Sequence, residues 1–201
     1  MAECGSWPTI ETHELLSTTA ILDRHRMPGE QRFALESQHR PEKILVQSPH
    51  FVDIVLRDQK PMSDSGLLRC LQDELTPQNW YEILNRKSFF WATRDRLSTL
   101  LNAGTYSNEE HDVLTIETAP LVHAYLERIQ ICHMNSGNTK PWPHPRGLST
   151  FVSIENYQTK RNGNPLKPVA ELVVDYGVPD IARYVVSVDR MNRDTVIRRL
   201  R

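Results

Sequence analysis

Over roughly the first ninety positions apolar residues recur mostly at helical spacing, and after Trp91 they gather into short β-branched runs. Between Trp7 and Arg24, Ile10, Leu15, Leu16 and Ile21 stand among polar residues. This predicts a short helix over 8–13, a turn, and a second helix from Ser17 or Thr18. The stretch 25–40 has few apolar anchors (Met27, Phe33, Leu35) and reads as a helix and loop on the surface, ended by Pro41. Apolar runs at 43–46 and 51–56 flank Gln47, Ser48, Pro49 and His50, and each reads as a strand or as a strand with an irregular turn. Leu67, Leu68, Leu71 and Leu75 predict a helix from Ser63. Thr76 before Pro77 marks another helix start, because a hydroxyl caps the first turn and proline lacks an N–H that has no partner there. That helix runs over Trp80, Tyr81, Ile83 and Leu84.

Ser88-Phe89-Phe90-Trp91-Ala92 is an aromatic strand candidate, and Leu97, Leu100 and Leu101 restore helical spacing over 94–103. A strand at 111–116, a helix at 120–128 and a strand at 129–131 follow. The stretch 135–148 holds Gly137, Pro141, Trp142, Pro143, His144, Pro145 and Gly147 and reads as a long ordered loop or lid. A second loop spans 155–168. Strands are then predicted at 169–174 and 183–188, with a turn or short helix at 179–182. The last dozen residues carry five arginines and read as a basic helix. Helices early and strands late give an α+β chain, read as one domain over its 201 residues.

Composition narrows the classes. Lys and Arg number 24 against 25 for Asp and Glu, which argues against a general nucleic-acid coat or a membrane-surface protein, though not against a local basic groove. No run approaches the roughly 18 apolar residues of a membrane span, and no basic-then-apolar leader opens the chain. Three scattered cysteines, Cys4, Cys70 and Cys132, suit reduced thiols and a cytoplasmic location. Eight histidines include no HxxxH or HxH pair, so they read as partly exposed polar residues and no metal is expected. No phosphate-cradling glycine loop and no nucleophile elbow occurs.

Three places can carry chemistry. Arg57-Asp58-Gln59-Lys60 ends the 51–56 strand, where it either lines a cleft or, as the plainer reading, turns into solvent. Asn135-Ser136-Gly137-Asn138 suits hydrogen bonding to a sugar or phosphate, and equally a plain turn. Glu171 interrupts the apolar run Val169-Ala170-Glu171-Leu172-Val173-Val174. A carboxylate there is an exposed or ion-paired strand residue, or it faces a cleft; buried without a partner it would be costly.

The segment 167–174, followed by Val178-Pro179, resembles the catalytic strand of DarT-type ADP-ribosyltransferases, where a glutamate in an Ala-Glu-Phe-Leu-Val strand leads into a Val-Pro turn. The stretch 7–18 resembles the early helix of that fold and of the RNA 2'-phosphotransferases, with Glu14 at the position of their turn glycine. Phe89-Phe90-Trp91 is similar to their aromatic strand. Over nearly its whole length the chain also resembles an uncharacterised bacterial family of unknown function, through its Leu-Leu-Ser-Thr, Arg-Asp-Gln, Phe-Phe-Trp, His-Asp-Val-Leu-Thr, Asn-Ser-Gly and Val-Pro-Asp-Ile stretches.

The resemblance implies an ADP-ribosyltransferase-like split of two small antiparallel sheets with flanking helices. With Met1-Ala2-Glu3 only a few residues before the helix, the expectation is that its histidine-bearing first strand is missing here. It further implies a toxin-like or defence enzyme with NAD as substrate, DNA or RNA as acceptor and an antitoxin as partner. Glu171 and Arg57 would be catalytic. Leu16, Ser17, Thr18, Phe90 and Trp91 would bind the cofactor, and Gln59, Asn135 and Ser136 the acceptor. A non-catalytic binding module on a degraded copy of the fold, or a nucleotide hydrolase or phosphotransferase, are the alternatives.

Overall fold

The computed structural model describes residues 1–48 and 51–201, so the expected turn at Pro49 and His50 lies outside the described residues. The first half contains β1 (Ala2–Glu3), α1 (Trp7–His13), β2 (Leu15–Leu16), α2 (Thr18–Arg24), α3 (Gly29–Glu36), β3 (Ile44–Ser48), β4 (Phe51–Leu56), α4 (Asp64–Leu68), α5 (Pro77–Asn85) and β5 (Lys87–Trp91). There follow α6 (Arg94–Leu101), β6 (Glu110–Ile116), α7 (Thr118–Tyr125), β7 (Ile129–Cys132), β8 (Glu171–Asp175), β9 (Gly177–Val178), β10 (Val185–Asn192) and β11 (Thr195–Arg199).

The α+β class holds, but the described strands form four antiparallel sheets rather than two: β1-β6-β10-β11, β5-β8-β7, and the pairs β2-β9 and β3-β4. A strand does precede the first helix, since Ala2 and Glu3 pair with Asp112 and His111 on β6. It carries no histidine. The C-terminus is a hairpin rather than a helix: β11 pairs back on β10, with Thr195 opposite Asn192 and Arg199 opposite Asp189. Val196 and Ile197 favour extended backbone, and the partner strand supplies the ladder.

Local chemistry sets several boundaries. Thr76 accepts from the Asn79 N–H at 3.3 Å while the Asn79 side chain accepts from the Thr76 N–H at 3.0 Å, which closes a reciprocal cap on α5. Ser17 caps α2 by accepting from the Ala20 N–H at 3.2 Å. The helix expected from Ser63 stops at Leu68, because the chain then turns to pair with the distant 146–148 segment: the Gln72 N–H donates to the Arg146 carbonyl at 2.8 Å.

The three-stranded sheet divides the core. Leu172 and Val174 of β8 pack on one face with Trp7, Ile10, Leu121, Ile129 and Tyr184. Val173 packs on the other with Trp80, Tyr81, Leu84 and Phe151. Alternation therefore buries β8 on both faces. The stretch 25–40 is less superficial than its polarity suggests, since Leu35, Ser37 and Arg40 are all buried. Arg40 donates to the carbonyls of Leu35 at 2.5 Å and Arg57 at 2.8 Å and to Asn85 Oδ1 at 3.2 Å, so its donors are satisfied without solvent.

Candidate functional site

Between these sheets lies a cavity of about 500 Å³. It draws its walls from separate parts of the chain: the α1–α2 connection, the end of β4 and the loop after it, β5, the 135–137 turn and the start of β8. Leu16, Ser17, Thr18, Arg57, Gln59, Phe90, Trp91, Asn135, Ser136 and Glu171 all line it.

Glu171 opens β8, opposite Trp91 of β5 and Cys132 of β7. Its relative exposure is 4%, and among the described residues it forms no ion pair. The Ser136 hydroxyl donates to Oε2 at 2.7 Å, and the Ser136 N–H reaches Oε1 and Oε2 at 3.2 and 3.3 Å. Burial raises the Glu171 carboxyl to about 7 against the opposing pull of the Ser136 hydrogen bonds and the charges of Arg146 and Arg96. Such a group can both take and release a proton near neutral pH.

Asp58 and Gln59 are buried and line the cavity with Arg57, whereas Lys60 turns away from it to pair with the exposed Glu42 at 3.5 Å. The Arg57 guanidinium lies 5.3 Å from the Tyr106 ring centroid and places Nη1 3.4 Å from His111 Nδ1. Its Nη2 is buried without a hydrogen-bond partner among the described residues. His111 is fully buried, an exception to the partly exposed histidines expected and found at the other described positions, and desolvation and the Arg57 charge hold its pKa below the usual range. Gln59 lines the cavity but commits its amide to structure: Oε1 accepts from the Arg40 N–H at 3.0 Å and Nε2 donates to Asn85 at 3.5 Å. Asn135 accepts from the Gly137 N–H at 3.1 Å and shapes the turn that presents Ser136.

Glu14 also faces the cavity, with φ 83° and ψ 158°. Glycine enters that region freely and other residues enter it under strain. Arg24 secures it, donating to Glu14 Oε2 at 2.5 Å and to the His13 carbonyl at 2.9 Å. The position matched to a turn glycine in the sequence thus has a backbone suited to one.

Tyr106 was not singled out in the sequence. It lines the cavity, carries Arg57 on its ring and donates its hydroxyl to Asp58 Oδ1 at 3.0 Å. A lone aromatic after Gly104 and Thr105 is the one local sign of it. Among the described residues no group of three or more His, Cys, Asp or Glu side chains is placed to hold a metal, and no helix is long and apolar enough to cross a membrane.

The chain belongs to a family of unknown function, DUF7002. The family model matches residues 1–185, which takes in every cavity residue named above and stops inside β10. Neither the curated proteins nor the solved structures gave a match. Membership in DUF7002 brings no activity with it, and the ADP-ribosyltransferase expectation rests on the residues themselves.

Proposed function

We propose that this DUF7002 protein binds NAD in the cavity and transfers ADP-ribose, with Glu171 as the acid–base and charge-stabilising group. The observation that carries the reading is the buried Glu171 carboxylate in a cavity that also holds an aromatic wall and the Arg57 cation. The ionised carboxylate would stabilise positive charge growing on the ribose as its bond to nicotinamide breaks. Nicotinamide leaves as a neutral base with the bonding pair. The acceptor forms the new bond to the same carbon, and its proton passes to Glu171. Phe90 and Trp91 offer π faces to a flat ring, and Arg57 offers a cation to the pyrophosphate or a nucleic-acid acceptor.

The test incubates the protein with labelled NAD and, separately, DNA, RNA and protein. Label transfer by wild type and its loss in Glu171→Ala is the expected result, and equal transfer by both rejects the role of Glu171. A second reading, a binding module without turnover, is favoured by the engagement of both Glu171 oxygens by Ser136. It predicts ligand binding without release of nicotinamide.

A further inference from the structure

Arg146 is 1% exposed and ends the proline-rich loop. Its hydrogen bonds reach three carbonyls of that loop: Nη1 to Ser136 at 2.7 Å, Nη2 to Asn138 at 2.8 Å and Nε to His144 at 3.0 Å. The guanidinium lies 5.8 Å from the Trp80 ring centroid, and the Trp80 indole N–H also donates to the Ser136 carbonyl, at 3.4 Å. Arg146 is pinned in turn by its own backbone, through the Cys70 carbonyl at 2.9 Å and the Gln72 N–H at 2.8 Å. Ser136, fully buried, then hands its N–H and hydroxyl to Glu171.

From this chain of contacts we infer that Arg146 is the positioning residue of the cavity, holding Ser136 so that Ser136 holds the Glu171 carboxylate. The stretch between Ser136 and Arg146 forms no strand or helix; the Thr139 N–H ties its middle to the Pro61 carbonyl at 3.0 Å, and Arg146 gathers three of its carbonyls from one side. The rigid fork of arginine does this; lysine carries the charge without the fork. Burying a cation among neutral carbonyls is costly, and a space-filling role would be met as well by an apolar side chain. The charge has a second effect, because Arg146 acts on Glu171 electrostatically in the direction that favours the carboxylate. Removing the guanidinium therefore takes away a favourable charge and also loosens the donors on Glu171.

The inference rests on the reading of Glu171 as the working carboxylate, yet its test needs no turnover. Glu171 is titrated by carbon-13 NMR of labelled side-chain carboxyls, with its signal assigned by its absence from Glu171→Gln. Wild type, Arg146→Lys and Arg146→Gln are compared, with the fold of each checked by circular dichroism. The expected result is a weakening of the Glu171 acid by about tenfold, one unit upwards, in Arg146→Gln, and a smaller upward move in Arg146→Lys. Folded variants whose Glu171 titrates as in wild type overturn the inference, since a residue that merely fills space would lower the melting temperature and leave that titration alone. If neither variant folds, Ser136→Ala decides: loss of the hydroxyl must raise the Glu171 titration, and an unmoved curve rejects the relay. Absence of NAD turnover in wild type would count against the proposed function and leave the titration result standing.

Discussion

Ser136 gives Glu171 both its N–H and its hydroxyl, the latter at 2.7 Å, although 35 residues separate them. The carboxylate that lines the cavity is thus held by a loop residue whose own carbonyl is fixed by Trp80 of α5 and by Arg146. This pairing softens the penalty of burial without cancelling it, and the Glu171 carboxyl stays at about 7.

That shift makes stability depend on pH. An acid whose folded value lies above its unfolded value of 4.5 binds more protons in the native state between the two. Its contribution is whole below about 4.5 and is lost as pH rises through about 7. Urea unfolding at pH 5 and pH 8 should show wild type losing about 2–3 kcal/mol relative to Glu171→Gln. A gap between the two proteins that stays constant across pH would sink this expectation.

Glu14 holds a backbone conformation that costs a non-glycine residue about 1–3 kcal/mol. Glycine there gives up a half-exposed ion pair with Arg24, worth well under 1 kcal/mol, and adds freedom to the unfolded chain. Glu14→Gly should therefore raise stability by about 1 kcal/mol, or the melting temperature by a few degrees. A fall in melting temperature would show that the Arg24 contact outweighs the strain.

Two glycines with positive φ should respond differently to alanine. At Gly177, φ 125°, an added Cβ would sit 2.5 Å from the Leu15 carbonyl oxygen, against the β2–β9 pairing that holds Leu16 at the cavity. At Gly163, φ 82°, nothing lies within 4 Å. Gly163→Ala should cost about 1 kcal/mol from conformation alone, and Gly177→Ala about 3 kcal/mol or more. Equal losses in chemical denaturation would remove the close approach as the cause.

Elements written in local chemistry were legible in the sequence, and those made by distant partners were not. The Thr76-Pro77 start of α5 and the apolar run that becomes β8 depend on neighbours in the chain, and both are found. The two-residue strands β1, β2 and β9 are too short to have a period, and only their partners define them. At the C-terminus the arginines suggested a helix, whereas the pairing of Thr195 to Arg199 with β10 decides for a strand. Glu171 was readable as an anomaly because a carboxylate in an apolar run needs a reason. Its partner was not readable, since Ser136 sits in a stretch that also reads as an ordinary turn. Tyr106 and Arg146 matter through contacts made across the fold, which the residues around them in the chain do not specify.

Cys132, which lies opposite Glu171 in the sheet, is wholly buried, and burial lifts its thiol to about 11. A thiol reagent can meet it only when β7 parts from its surroundings. The exposed Cys4, by contrast, stays open to attack throughout. Labelling of Cys132 then becomes a clock for the parting of β7 from β8, with a small free thiol in the same solution as the measure of reagent strength. A ligand bridging the cavity should slow that clock, so occupancy of the cavity can be read by mass spectrometry before any reaction has been assigned to it.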